Sequence, residues 1–168
     1  MKTQKQYGRC LIAVVLFAVL VCLDLMTKLW AQNTLPEKPI ILIQGVFELR
    51  YLENRGAAFG LLQNQRTFFI ILTVIFLAAM VYVYMRIPSD KKYLPLRLLV
   101  IIVSAGAFGN FYDRLKLTYV RDFLYFSLID FPIFNVADIY VTCSAVAFFI
   151  LVVFVYKEDD LAFMEKKK

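Results

Sequence analysis

Val120-Arg121-Asp122-Phe123 and, after a short connection, Phe134-Asn135-Val136-Ala137-Asp138 lie between two long apolar runs of the chain. Each carboxylate therefore falls where a segment able to cross a bilayer meets water, and the connection is short enough to let the two approach each other. An ionisable group at such a depth is costly and by default marks a functional site. Two carboxylates sharing one place can divide acid and base roles, because proximity drives their apparent pKa values apart. Asp122 and Asp138 are thus the candidate catalytic dyad. Phe123 and Phe134 are expected to surround them with apolar bulk. A structural alternative stands beside this for Asp138, which could cap the first turn of the following helix together with Asn135.

The flanking runs set the fold class. The chain has 168 residues, of which 61% are hydrophobic and 16% aromatic, against an apolar share of roughly 45–50% in soluble domains. Its mean hydropathy is +0.69. The apolar runs leave room for four spans of roughly 20 residues each, near 10–30, 67–85, 96–112 and 139–156, in a single domain covering 1–168. Between the first two spans, Ile40 to Ile43 and Val46-Phe47-Glu48-Leu49-Arg50-Tyr51 are separated by Gly45. The second run alternates at period two, with Phe47, Leu49 and Tyr51 on one face and Glu48 and Arg50 on the other. The expectation is a mainly α membrane protein: a four-transmembrane-helix bundle with a small extracytoplasmic β-sheet near 38–66, a cradle resting on the spans or the lipid surface. A short extracytoplasmic loop or helix joins spans three and four.

The basic residues orient the bundle. The formal charge is +6, and Lys2, Lys5, Arg9, Arg86, Lys91, Lys92, Arg97, Lys157, Lys166, Lys167 and Lys168 cluster in the N-terminal arm, the connection between spans two and three, and the tail. These segments are expected to be cytoplasmic, so the basicity is topogenic and no nucleic-acid partner is implied. Leu11 to Leu23 could be mistaken for a secretory signal, but it lacks an Ala-x-Ala cleavage site and continues to Trp30, so a retained first span is expected. Every polar cluster with chemical content then falls on the outer face.

The chain contains no histidine. That removes a Ser-His-Asp triad, a Cys-His pair, an HExxH zinc site and a histidine proton relay. Cys10, Cys22 and Cys143 have no CxxC spacing and lie in or beside apolar runs, where cysteine behaves as a small hydrophobe. Neither a disulfide, a metal nor another cofactor is indicated.

Other clusters admit two readings each. Asp24 and Lys28 share a helix face and can pair, as an interfacial ion pair or as support for a site. Asn54-Arg55-Gly56-Ala57-Ala58-Phe59-Gly60 is a turn permitting close backbone approach, or an ordinary loop. Ser104-Ala105-Gly106-Ala107-Phe108-Gly109-Asn110 suits tight helix packing. Beyond it, Asn110 and Arg114 either face a cleft, with Asp113 holding the helix end, or belong to a packing seam capped by an Asp-Arg pair.

Asp24-x-x-Thr27-Lys28, Asn54-x-Gly56-Ala57-Ala58-Phe59, Gly109-Asn110-x-x-Asp113-Arg114, Val120-x-Asp122-Phe123 and Phe134-Asn135-x-Ala137-Asp138 occur in this order along the chain. In order and spacing they resemble the bacterial lipoprotein signal peptidases, also called prolipoprotein signal peptidase or signal peptidase II, over essentially the entire chain. The resemblance implies a multi-pass aspartyl endopeptidase of the bacterial inner membrane, with both termini cytoplasmic. It would remove signal peptides from prolipoproteins, cutting before a cysteine that carries diacylglycerol, and would be sensitive to globomycin-type inhibitors. It maps the dyad onto Asp122 and Asp138, places Asn54, Gly56, Asn110, Arg114 and Asn135 around substrate or dyad, and gives Asp24, Lys28 and Asp113 supporting roles. Arg121 departs from the family, which more often carries an aliphatic residue there.

The chemistry expected of such a site is hydrolysis without metal or covalent intermediate. One ionised aspartate takes a proton from the attacking water while the other, protonated, donates to the scissile carbonyl. The substrate would enter sideways from membrane lipid and lie extended beneath the outer sheet. The competing classes are a small proton-coupled membrane transporter, whose acids should extend along a span, and a non-catalytic membrane assembly factor built on helix-packing motifs.

Overall fold

The computed structural model describes residues 2–57 and 61–164. Ala58, Phe59 and Gly60 of the glycine-containing turn and the basic residues Lys166, Lys167 and Lys168 lie outside the described residues. Four helices are long and apolar enough to cross a membrane, covering Tyr7–Thr34, Arg66–Arg86, Lys91–Leu117 and Val136–Val155. Helix α1 (Lys2–Thr34) has 33 residues, a length of roughly 50 Å against a hydrocarbon core of about 30 Å. It is therefore longer than one crossing needs, and it runs on to Thr34, past the expected end near Trp30. There Ala31 and Leu35 are buried beneath the sheet.

Helix α2 (Arg66–Arg86) has no buried residue and is peripheral to the bundle. Helix α3 (Leu94–Leu117) is central, packed against α1, α2 and α4 (Val136–Ile150). The α4 span continues through a π-helical turn, Leu151–Val155. A short helix α5 (Glu158–Leu161) then brings Phe163 against the Ile87, Leu96, Val100 and Tyr156 cluster at the far end of the bundle.

Small residues make α3 central. A side-chain carbon on Gly106 would lie 2.5 Å from the Ala137 carbonyl oxygen, and one on Gly109 would overlap the Asp24 carboxylate. These two glycines let the α3 backbone touch α4 on one side and α1 on the other, the small-residue device of helix pairs in lipid. The polar clusters of three helices are thereby brought within hydrogen-bonding distance.

The sheet is antiparallel, in the order β1 (Ile40–Ile43), β2 (Phe47–Asn54), β3 (Val120–Tyr125). Gly45, at φ +70°, lies between β1 and β2. Leu49 and Tyr51 pack toward Ala31, Leu35 and Phe123, while Glu48 and Arg50 pair at 3.0 Å, so the period-two reading of β2 holds. The third strand was expected as a loop or helix. Its register sets Leu52 opposite Asp122, Glu53 opposite Arg121 and Asn54 opposite Val120. Strand pairing depends on context more than on intrinsic preference, and here the partner precedes β3 by more than sixty residues.

Asp122 consequently sits on a strand rather than at a helix end. Successive strand side chains point to opposite faces, so Phe123 packs on α1 against Ala31 and Leu35 instead of covering the carboxylate. Thr118, at φ 73°, ends α3 in the left-handed conformation and turns the chain into β3. The Arg66 guanidinium donates to the Arg114 carbonyl at 2.8 Å and the Leu115 carbonyl at 2.9 Å, satisfying acceptors that the end of α3 leaves open.

Because the helix seam has no spare volume, Gly109→Ala should destabilise the fold by about 1–3 kcal/mol, the usual range for overpacking. Thermal unfolding of the purified protein would read this as a lowered midpoint. An unchanged midpoint would mean that the α1–α3 contact is not tight.

Candidate active site

Asp122 on β3 and Asp138 in the first turn of α4 line one cleft of about 500 Å³, whose walls include Asn54, Asn110, Arg114 and Phe134. Each of their four carboxylate oxygens accepts one N–H. Asn54 Nδ2 donates to Asp122 Oδ2 at 2.9 Å, and Asn135 Nδ2 donates to Asp122 Oδ1 at 2.6 Å. Asn110 Nδ2 donates to Asp138 Oδ1 at 2.8 Å, and the Asn135 backbone N–H donates to Asp138 Oδ2 at 3.0 Å. Asn135 therefore bridges the two acids directly.

The same bonds start α4. Asn135 is the N-cap, its side-chain oxygen accepts from the Asp138 N–H at 3.1 Å, and the Asp138 carboxylate returns the bond to the Asn135 N–H. This reciprocal pair is a capping box. The two readings of Asp138, helix cap and dyad member, are thus compatible: one carboxylate does the first and remains in the cleft for the second.

Asp122 is 2% exposed. Burial, followed by the neighbouring Asp138 carboxylate, pushes its carboxyl up to about 7 from an ordinary 3.8, against the opposing pull of the Asn54 and Asn135 amides and the Lys28 charge. Desolvation disfavours the charged form, and a like charge nearby adds to the effect. Asn54 of β2 and Asn135 lie directly against the carboxylate, while Phe123 packs on the other face of the strand.

Beneath the cleft lies a fully buried cluster. Lys28 Nζ donates to Asp24 Oδ2 at 2.8 Å and to Asn110 Oδ1 at 2.8 Å. Asp24 Oδ1 in turn accepts the Ala137 N–H of α4 at 2.9 Å. Asp113 is gripped by Arg121: the guanidinium NH2 reaches Oδ1 at 2.6 Å, while Nε and the backbone N–H reach Oδ2, both at 3.1 Å. Asp24 and Lys28 are hence no surface pair, and Asp113 closes a link to β3 rather than only to its own helix end.

Arg114 faces the cleft as expected. Its NH2 donates to the Gly56 carbonyl at 3.0 Å, and its guanidinium lies 4.5 Å from the Phe69 ring centroid. Asn54 Oδ1 accepts from the Gly56 N–H at 2.9 Å, so Gly56 is tied to the site through both its backbone groups.

Residues 16–154 match the family model for signal peptidase (SPase) II. The chain belongs to the signal peptidase II family. A protein of Streptococcus thermophilus named lipoprotein signal peptidase is 42% identical over 142 residues, covering 84% of this chain and 90% of the relative. One from Streptococcus pyogenes with the same name is 40% identical over 145 residues, covering 84% and 91%. Two solved structures of bacterial membrane enzymes superpose with TM-scores of 0.74 and 0.73, at 29% and 30% identity. They cover 94% and 86% of this chain, and 93% and 94% of their own. The protein is an aspartic-type signal peptidase II hydrolase and a multi-pass membrane protein.

In this signal peptidase II, Asn54, Gly56, Asn110, Arg114, Asp122, Asn135 and Asp138 meet around the cleft, and Asp24, Lys28 and Asp113 lie directly beneath it. Sequence reasoning missed Gln32, which accepts from Arg121 NH1 at 3.1 Å, and Phe69, Thr142 and Cys143 in the cleft wall. Gln32 lies one helical turn beyond Lys28, a spacing that would have put it on the same face. Cys143 had been read only as a small hydrophobe.

Asn135→Ala would remove the helix cap, worth about 1 kcal/mol, together with the bridge between the acids. Turnover should fall about 10²-fold, the scale of a displaced catalytic group, with a small drop in thermal midpoint. Near-normal turnover with the same thermal loss would confine Asn135 to capping.

Proposed function

We propose that this protein is an aspartyl endopeptidase that removes the signal peptide from diacylglyceryl-modified prolipoproteins, cutting before the lipidated cysteine. Asp122 and Asp138 would be its catalytic pair. The observation that carries the reading is the meeting of two carboxyl groups, Asp122 buried and Asp138 half-buried, each held by two N–H donors, in one cleft at one end of the spans. The family match and the names of the streptococcal relatives support the substrate class.

The pair holds one proton in its working state. The ionised carboxylate takes a proton from a water lying between the two acids, and that water attacks the scissile carbonyl. The protonated partner donates to the carbonyl oxygen and afterwards to the departing amine. The two groups titrate as a unit, so the proton belongs to the pair. The N–H donors occupy one site on every carboxylate oxygen and leave the cleft-facing sites for water and substrate.

Asn54 and Gly56 hold the turn at the cleft edge, and Arg114 presents its guanidinium to the substrate backbone or lipid carbonyls. Asn110 and Asn135 orient the dyad, and Asp24, Lys28 and Asp113 support it from below. The substrate enters from membrane lipid, with its peptide extended beneath the sheet acting as a lid. In this orientation the site lies on the outer face of the bacterial inner membrane and both termini are cytoplasmic, by the bias of positive charge. Occupation of the cleft by a globomycin-type inhibitor would block cleavage. The acids gather at one end of the bundle, which disfavours a proton-transport path along the spans.

Asp122→Asn and Asp138→Asn should each lower cleavage of a lipidated precursor by 10³-fold or more, on the order of removing one essential member of a catalytic unit. Gel assays on purified protein in detergent would measure it, and wild-type turnover by either variant would remove that residue from the mechanism. The pH profile should be bell-shaped. Turnover rises as the doubly protonated pair loses its first proton and falls through about pH 7, where the shared proton leaves. A rate still rising well above that pH would contradict a proton shared by this pair.

A further inference from the structure

One of the dyad's donors depends on how the Asn110 amide is turned, and that amide is linked through Lys28 and Asp113 to Arg121. Asn110 Oδ1 accepts from Lys28 Nζ at 2.8 Å and from Asn135 Nδ2 at 3.1 Å. With both acceptor directions used, the amide N–H₂ has to face Asp138. Lys28 also makes a longer ion pair with Asp113 Oδ2, 3.9 Å away, which it can shorten only by moving toward that acid and away from Asn110.

We propose that Arg121 is a positioning residue: by occupying both oxygens of Asp113 it keeps Lys28 on Asn110 and so fixes the amide that Asp138 receives. This rests on the catalytic reading of the dyad.

Three observations carry it. Arg121 is 6% exposed and directs Nε, NH2 and its backbone N–H at Asp113, with NH1 on Gln32. Asp24, Lys28 and Asp113 are each 0% exposed, so the cluster is shielded from bulk solvent. Its formal charges then sum to zero: Asp24 and Asp113 against Lys28 and Arg121. Without Arg121 one buried negative charge remains beneath the dyad, and Lys28 becomes the cation available to Asp113. A hydrogen bond from an ammonium also strengthens the donor at the other end of the amide, so Lys28 leaving Asn110 weakens what Asp138 receives. Both effects favour the protonated pair.

The other charged groups around the dyad are Asp24 and Lys28 from α1, Arg114 from α3, and on β2 Glu53, which is exposed and paired with Arg55 at 3.0 Å. None of these contacts Asp113 more closely than Arg121 does.

The test is the pH–rate profile of the full-length protein with lipidated precursor, alongside direct titration of ¹³C-labelled aspartate carboxyls in micelles. Arg121→Gln should move the bell and the carboxyl titration to higher pH by about one unit, the scale of losing a nearby opposite charge. Asp113→Asn alone should move both to lower pH, and the double variant, which restores neutrality, should return both toward wild type. An unmoved bell for either single variant, or a double variant that behaves like Arg121→Gln, would overturn the proposal. If Arg121→Gln does not fold, the sign of the Asp113→Asn shift decides alone. Asp122→Asn runs beside them: its loss of turnover with unmoved profiles elsewhere sinks only the role of Arg121, whereas full turnover by it sinks the dyad.

Discussion

Everything near the cleft follows from one constraint: Asp122 is buried and Asp138 half-buried, so the protein must supply hydrogen bonds that water would have made. Burying an ionised carboxylate without compensation is prohibitive, and even a paired charge has to have its remaining sites satisfied. The molecule meets this with one N–H for each carboxylate oxygen, three from asparagine amides and one from the α4 backbone. Asparagine suits the task because its amide donates without adding a charge.

The amides themselves need anchors, and these come from the buried ions below. Lys28 holds Asn110, Asp24 holds Lys28 and the first turn of α4, and Arg121 holds Asp113. Glycines at positions 106 and 109 make this possible by bringing the α3 backbone against α4 and α1. Packing between spans and polarity at their ends are therefore one arrangement: widening the seam by a methyl group would move Asp24 and, through it, the start of α4.

Much of this was legible from residue order. Composition and run lengths announced the four spans, and the alternation of Phe47 to Tyr51 announced β2. The position of two aspartates at the ends of apolar runs was enough to pair Asp122 with Asp138. What stayed hidden depended on distant partners. β3 is a strand because β2 is there to bond it, and nothing within Val120–Tyr125 says so. The same absence led to Phe123 being placed over Asp122, since a strand sends adjacent side chains in opposite directions. Arg121 stood out as an oddity, but its meaning needed Asp113 and Gln32, on two different helices, to be seen converging on it.

The pairing of β2 with β3 has a consequence for biosynthesis. Asn54 and Asp122 come from hairpin and crossover segments on either side of two spans, and Asp138 arrives with the last one. A nascent chain emerging from the ribosome with only three spans threaded through the translocon holds a single carboxyl group and lacks the asparagine that would bridge it. On the proposed reading of the dyad, maturation of the site is thereby coupled to completed insertion, and a half-made copy would be inert toward the signal sequences passing beside it.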